Sequence, residues 1–197
     1  MSISLCIIVK NEEKLLDKFL KNIKKYVDEI VVVDTGSKDK TKKIAQKYTT
    51  KVYDFLWEDN FAKTRNFSIK KAAKDWILVL DPDEVIAKKD LEKLGELTEN
   101  KEFLGYRFIQ KSEKSTRGIC RLFQRRNSIK FCYRIHESVR PSIMALNGKI
   151  GETGIIIKHK PKQSKKKKEF YLKLIKQKIK ESPYSSAKKE YELELKQ

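Results

Sequence analysis

The stretch Trp76-Ile77-Leu78-Val79-Leu80-Asp81-Pro82-Asp83-Glu84 runs through five apolar residues and then stops on three carboxylates. A strand with one wet face alternates apolar and polar residues, whereas an unbroken apolar run fits a strand covered on both faces. Two runs of the same kind lie upstream, at 3–9 and 29–33, and a shorter one lies at 51–55. Between them, Leu15, Phe19, Ile23 and Tyr26 mark a helical stripe. Helices are also expected over 38–48, opened by Ser37 or Asp39, and over 60–73, opened by Asp59 or Asn60. Alternating strands and helices with doubly covered strands read as an α/β fold, a mostly parallel central sheet flanked by helices.

Open parallel sheets bind ligands at the carboxyl ends of their strands. In this chain those ends carry Lys10-Asn11-Glu12-Glu13, Asp34-Thr35-Gly36-Ser37, Glu58-Asp59 and Asp81-Pro82-Asp83-Glu84, so parallel strands would bring the acids to one rim. Clustered acids repel one another and need cations or a metal nearby. Asp81-x-Asp83 offers the hard oxygens that Mg2+ or Mn2+ prefers. Taken alone, Asp-x-Asp also reads as a solvated turn that caps a helix, and Asp34 as a turn residue before Gly36. No GxGxxG follows the first strand, and no GxxxxGK[ST] occurs. A dinucleotide-binding Rossmann domain and a P-loop therefore do not fit.

The chain has 197 residues, 46 Lys+Arg against 27 Asp+Glu, and a formal charge of +19. That excess suits anionic partners: nucleic acid, an anionic membrane surface or phosphorylated substrates. Its three cysteines, Cys6, Cys120 and Cys132, form no CxxC pair, which suggests a reducing cytosol and no structural zinc. There is no signal-peptide pattern and no apolar run of membrane-spanning length, so the expected location is cytoplasmic, with any membrane contact peripheral.

After Asp83 the pattern changes. A helix over 88–97 and strands over 103–109, 119–124, 129–135 and 154–158 read as a small mixed β half that covers one end of the sheet. Beyond Pro161 the chain is basic and helical. Leu172, Ile175 and Ile179 share one face, as do Tyr184, Ala187, Tyr191 and Leu195, and Ser182-Pro183 separates the two into a hairpin. The expected organisation is a domain over 1–160, divided near residue 90, followed by a basic helical tail over 161–197.

Four blocks carry a resemblance: residues 3–13, Ile30-Val31-Val32-Val33-Asp34-Thr35-Gly36-Ser37, Ala62-Lys63-Thr64-Arg65-Asn66, and residues 76–84. In order and spacing they resemble family-2 glycosyltransferases of the GT-A fold, over about residues 1–90. The resemblance implies a nucleotide-sugar-binding half in which Asn11, Glu12 and Asp34 line the base and ribose pocket. It places Arg65 near the nucleotide or its phosphates, Asp81 at the ribose and metal, and Asp83 as a direct ligand of Mn2+ or Mg2+. Asn66 lies on a helical face with Ala62, Ile69 and Ala73, and it reads either as a site residue or as a core Asn bonded to backbone.

In the acceptor half, over 91–160, Arg121-Leu122-Phe123, Arg134-Ile135-His136-Glu137 and Ile155-Ile156-Ile157-Lys158-His159 resemble a subgroup that includes lipopolysaccharide-core and cell-wall transferases. That likeness implies Glu137 as the base on the acceptor hydroxyl and His159 as a metal ligand. The plainer readings are a Glu137 salt bridge to Arg134 or Arg140, and a surface His159 at a strand end. Pro82 departs from the small residues usual at its position, and residues 124–128 lack the Gln-x-x-Arg-Trp of processive synthases.

The implied reaction is inverting, metal-dependent transfer of one sugar from a nucleotide-diphosphate sugar donor to a glycan, lipid-linked sugar or protein acceptor. A nucleic-acid-binding module is the first competitor, given Lys165–Lys168, although no specific nucleic-acid motif is present. A nucleotidyltransferase is the second. The tail reads either as a helical cap on the domain or as a peripheral contact with anionic lipid.

Overall fold

Strand β1 (Ile3–Val9) lies within a sheet that the sequence builds from both sides of it. The structure, a computed structural model, describes residues 1–113, 115–160 and 165–181, with side chains throughout except at 165–168 and 178–181. β1 pairs in parallel with β2 (Glu29–Asp34) on one side and with β4 (Trp76–Val79) on the other, and β2 pairs in parallel with β3 (Val52–Asp54). β5 (Glu84–Ile86), β6 (Phe103–Lys111), β7 (Thr116–Gln124) and β8 (Lys149–His159) extend the same sheet, giving the order β3-β2-β1-β4-β7-β6-β8-β5. β7 runs antiparallel to β4 and joins the two halves, so the sheet is mixed beyond its parallel core.

The unbroken apolar runs are explained by cover on both faces. Leu5, Ile7, Val32 and Leu78 pack with Leu16, Phe19, Leu20 and Ile23, which fall at helical spacing on α1 (Leu16–Ile23). α2 (Thr41–Ala45), α4 (Lys88–Leu91) and α5 (Leu94–Glu99) add Ala45, Leu91 and Leu94 to that layer. On the other face Cys6, Val31, Ile77 and Val79 meet Ala62, Ile69 and Ala72 from α3 (Phe61–Lys71) and its end, and Ile143 from α6 (Arg140–Met144).

α3 starts where expected, with Asn60 Oδ1 accepting the Lys63 N–H at 3.1 Å. The helix expected over 38–48 is shorter. Ser37 accepts the Asn11 N–H instead of capping it, and Asp39 accepts the Thr41 N–H at 2.9 Å one residue before the cap position. The helix expected over 88–97 is two short ones, α4 and α5.

The strand expected over 129–135 is absent. Ile129, Phe131 and Ile135 are buried at spacings that imitate a strand, yet left-handed φ values at Tyr133 (73°) and His136 (53°) break the extension. The segment is a loop strapped to α3: Asn66 Nδ2 donates to the Phe131 carbonyl at 2.9 Å, and the Phe131 N–H donates to Asn66 Oδ1 at 2.8 Å. Of its two readings, Asn66 is thus the backbone-bonded one.

Helix α7 (Lys165–Glu181) packs on the domain through Leu174 and Ile175, with Phe170 and Tyr171 beside them, against Ile135, Trp57 and Phe61. Its contact stripe runs through 170–171 and 174–175, which includes Ile175 of the expected stripe, while Leu172 stays partly exposed. The Ile179 side chain, the break at 182–183 and the second helix of the hairpin lie outside the described residues. Among the described residues no helix is long and apolar enough to cross a membrane.

Replacing Asn66 by Ala leaves two backbone groups of the 129–139 loop without partners. The expected loss is about 2–4 kcal/mol of unfolding free energy by urea titration. A loss below about 0.5 kcal/mol would mean that the strap is incidental.

Candidate active site

Because β1, β2 and β4 are parallel, their carboxyl ends share one rim, and a cleft of about 2610 Å³ opens there. Asn11, Glu12, Arg65, Asp81, Asp83, Glu137 and His159 all line it. Asp34 is placed differently. It is buried at the end of β2, its Oδ1 accepts the N–H groups of Gly36 (2.8 Å) and Ser37 (2.7 Å), and the cleft wall at that point is Thr35. Gly36 has φ +95°, a conformation that a side chain would strain. Asp34 Oδ2 is buried without a hydrogen-bond partner among the described residues.

The loop after β1 is locked onto the loop after β2. Asn11, at φ 55°, donates its N–H to Ser37 Oγ (2.9 Å) and accepts the Lys38 N–H on Oδ1 (2.8 Å). The Glu12 N–H donates to Thr41 Oγ1 at 2.7 Å.

At the centre Arg65, 3% exposed on α3, joins two walls of the cleft. Its Nη2 donates to Asp81 Oδ1 and Oδ2 at 2.9 and 3.0 Å, and its Nε donates to Glu137 Oε1 at 3.0 Å. Burial works against its charge, but Asp81 and Glu137 more than offset it and hold the guanidinium above its usual value. Glu137 thus does make a salt bridge, but to Arg65 rather than to Arg134 or Arg140 as the plainer sequence reading had it.

Behind Asp81 lies a second layer. Arg121 Nη2 bonds buried Glu84 Oε1 at 2.7 Å and lies 3.6 Å from Asp81 Oδ2. Gln110 Nε2 donates to the same Glu84 oxygen, and the Asp81 N–H donates to Glu84 Oε2 at 2.9 Å. Burial raises Glu84 from its ordinary value, against the pull of Arg121. Burial pushes Asp81 the same way, but Arg65 and Arg121 outweigh it and hold Asp81 below its ordinary value. Pro82 fits this turn: the Glu84 N–H donates to the Asp81 carbonyl at 2.9 Å, which puts proline at the second position of a β-turn, where its fixed φ is favourable.

Asp83 Oδ2 lies 3.5 Å from His159 Nε2, and Asp83 raises the imidazole above its ordinary value. A carboxylate beside an imidazole is a donor pair that Mn2+ accepts. Among the described residues no group of three or more such side chains forms a ready-made cage. Mg2+ and ions like it are commonly held by one or two protein ligands, with substrate phosphate and water completing the shell. The residues therefore fit a metal that binds together with a diphosphate.

Sequence reading missed Glu84, Arg121 and Gln110 as a group, and it missed Tyr171. Glu84 and Arg121 stood inside quoted motifs, but nothing local links them. Tyr171 lines the cleft from α7, and burial together with Glu137 and Asp81 pushes its phenol up to about 12.

The model of glycosyl transferase family 2 matches residues 4–148. A TPR repeat-containing protein of Synechococcus elongatus is 36% identical over 148 residues, which cover 73% of this chain and 37% of that protein. This chain thus spans little more than a third of that relative's length. The lipopolysaccharide core biosynthesis glycosyltransferase LpsC of Rhizobium meliloti is 24% identical over 98% of this chain and 73% of its own. Glucosyl-3-phosphoglycerate synthase from Mycobacterium tuberculosis, solved with Mn2+, uridine diphosphate and glucosyl-3-phosphoglycerate, superposes with a TM-score of 0.66 at 14% identity, over 91% of this chain and 79% of that one. The fold is thus of the GT-A type.

Arg65→Met would leave Asp81 and Glu137 without their shared cation. The expected loss is about 3–5 kcal/mol of unfolding free energy. A urea titration giving less than about 1 kcal/mol would show that water or other cations replace the guanidinium.

Proposed function

This chain belongs to glycosyl transferase family 2, and on that premise we propose that it moves a single sugar from a nucleoside-diphosphate donor to an acceptor hydroxyl, with inversion. The observation that carries the reading is Arg65, which holds Asp81 and Glu137 on one guanidinium beside the Asp83–His159 pair. A donor-side acid and an acceptor-side acid are thereby fixed in one cleft.

In this reading Asn11, Glu12 and Thr35 bound the nucleoside end of the cleft, and the buried Asp34 Oδ2 backs the loop that shapes it. Asp83 and His159 would hold Mn2+ or Mg2+, which when bound would supply positive charge to the departing diphosphate. Asp81, kept ionised by Arg65 and Arg121, orients the donor from the turn it shares with Asp83. Glu137 is held by Arg65 through Oε1 alone, which leaves Oε2 to take the proton from the acceptor hydroxyl as its oxygen attacks the anomeric carbon. Attack on the side opposite the leaving diphosphate inverts the anomeric configuration. The excess of basic residues suits an anionic donor, and the relative solved with uridine diphosphate and Mn2+ makes that pair the first to test.

UDP with Mn2+ should raise the melting temperature of the wild type, and Asp83→Ala should abolish the metal-dependent part of that rise. A nucleoside-diphosphate panel that leaves the melting temperature unchanged with Mn2+ present would defeat the donor-site reading.

Glu137→Gln should keep the UDP–Mn2+ stabilisation and lose transfer on the order of 10²- to 10⁴-fold. Transfer at the wild-type rate would remove Glu137 from the base role, and NMR of a product with retained configuration would reject single displacement.

A further inference from the structure

Helix α7 brings an aromatic surface to the acceptor side of the cleft. Tyr171 stacks on Phe61 with ring centroids 5.9 Å apart and planes at 25°. Phe61 sits one helical turn before Arg65 on α3, so the Tyr171 ring lies beside the guanidinium that holds Glu137 and Asp81. Trp57 meets Phe61 edge-on at 4.8 Å and Phe170 at 6.0 Å, and it also lines the cleft. Its orientation is fixed by Nε1 donating to Asp59 Oδ1 at 2.8 Å, while Asp59 Oδ2 binds Lys173 of α7 at 3.0 Å. Polar contacts thus pin Trp57 from behind, while Trp57 and Tyr171 both line the cleft.

Among the described residues the Tyr171 hydroxyl has no hydrogen-bond partner, and the side chain lines the cleft near Glu137. The hydroxyl is open to the cleft and so available to a ligand, and ligand clefts commonly combine apolar walls with a few placed polar groups. We propose that α7 completes an acceptor subsite for a carbohydrate, with Trp57 packing on the apolar C–H face of a sugar ring and the Tyr171 hydroxyl bonding a sugar hydroxyl held beside Glu137. An aromatic body with a wet polar end matches a sugar ring, which has an apolar face and a polar rim. The upward-shifted phenol stays protonated at neutral pH and can donate. This subsite rests on the transferase reading of Glu137.

The test uses the full chain with UDP and Mn2+, titrated with phenyl β-glycosides of glucose, galactose and N-acetylglucosamine. The chain has two tryptophans, and Trp76 is 1% exposed, so emission that acrylamide can quench reports on Trp57. At least one glycoside should protect Trp57 from acrylamide with saturation. Tyr171→Phe, which keeps the ring stack, should raise the half-saturating concentration about fivefold to tenfold, the size of one hydrogen bond. UDP–Mn2+ stabilisation should be unaltered in that variant. Absence of protection by every glycoside, or unchanged half-saturation in Tyr171→Phe, overturns the subsite while the donor reading stands. Failure of UDP to stabilise the wild type overturns the transferase reading and the subsite with it.

Discussion

A guanidinium cut off from water has to be matched by anions, and Arg65 is matched by carboxylates 16 and 72 residues further along the chain. Placing that charge inside costs desolvation, and buried ion pairs rarely add stability beyond what apolar packing would give. What they do fix is geometry. The bidentate contact to Asp81 sets the turn after β4, and the Nε contact to Glu137 sets the loop before α6. The two sides of the cleft are thereby referred to one point on α3.

The same logic extends one layer back. Arg65, Asp81, Arg121 and Glu84 alternate in sign, so each charge is flanked by its opposite. Within this chain the two acids are driven apart: Arg65 and Arg121 hold Asp81 below its ordinary value, while burial raises Glu84. Carboxylates driven in opposite directions by their surroundings mark a division of roles. Asp81 faces the cleft, while Glu84 braces the turn that presents Asp81 and Asp83.

How much of this could be read from the chain depends on whether the determinant is local. β1, β2 and β4 were legible nearly to the residue, because an apolar run that ends in acids reports both its cover and its carboxyl end. The convergence of Asn11 and Glu12 with Asp81 and Asp83 followed from parallel pairing. His159 could be placed beside Asp83 only through the family likeness, because β8 reaches that position through the pairing of β5 with β8, which the apolar pattern did not announce. The 129–139 loop was misread because Ile129, Phe131 and Ile135 supply strand-like burial without strand geometry. What holds that loop is Asn66, a side chain 65 residues away. No window of sequence contains both partners of such a bond.

α3 explains why the two halves of the chain do not behave as separate units. Its buried set includes Thr64, Arg65 and Ser68, an unusually polar complement for a helix against a sheet, where an apolar stripe is the common solution. Each polar position answers to something outside the helix or to its own turn: Arg65 to Asp81 and Glu137, Asn66 to Phe131, Ser68 to the Arg65 carbonyl. Phe61, at its first turn, receives α7. A more apolar α3 would pack against β1 and β2 at least as well, but it would leave the loop that carries Glu137 without its anchors. The polar residues of α3 therefore give up part of an ordinary core contact to tie that loop to the sheet, while the aromatic Phe61 holds α7.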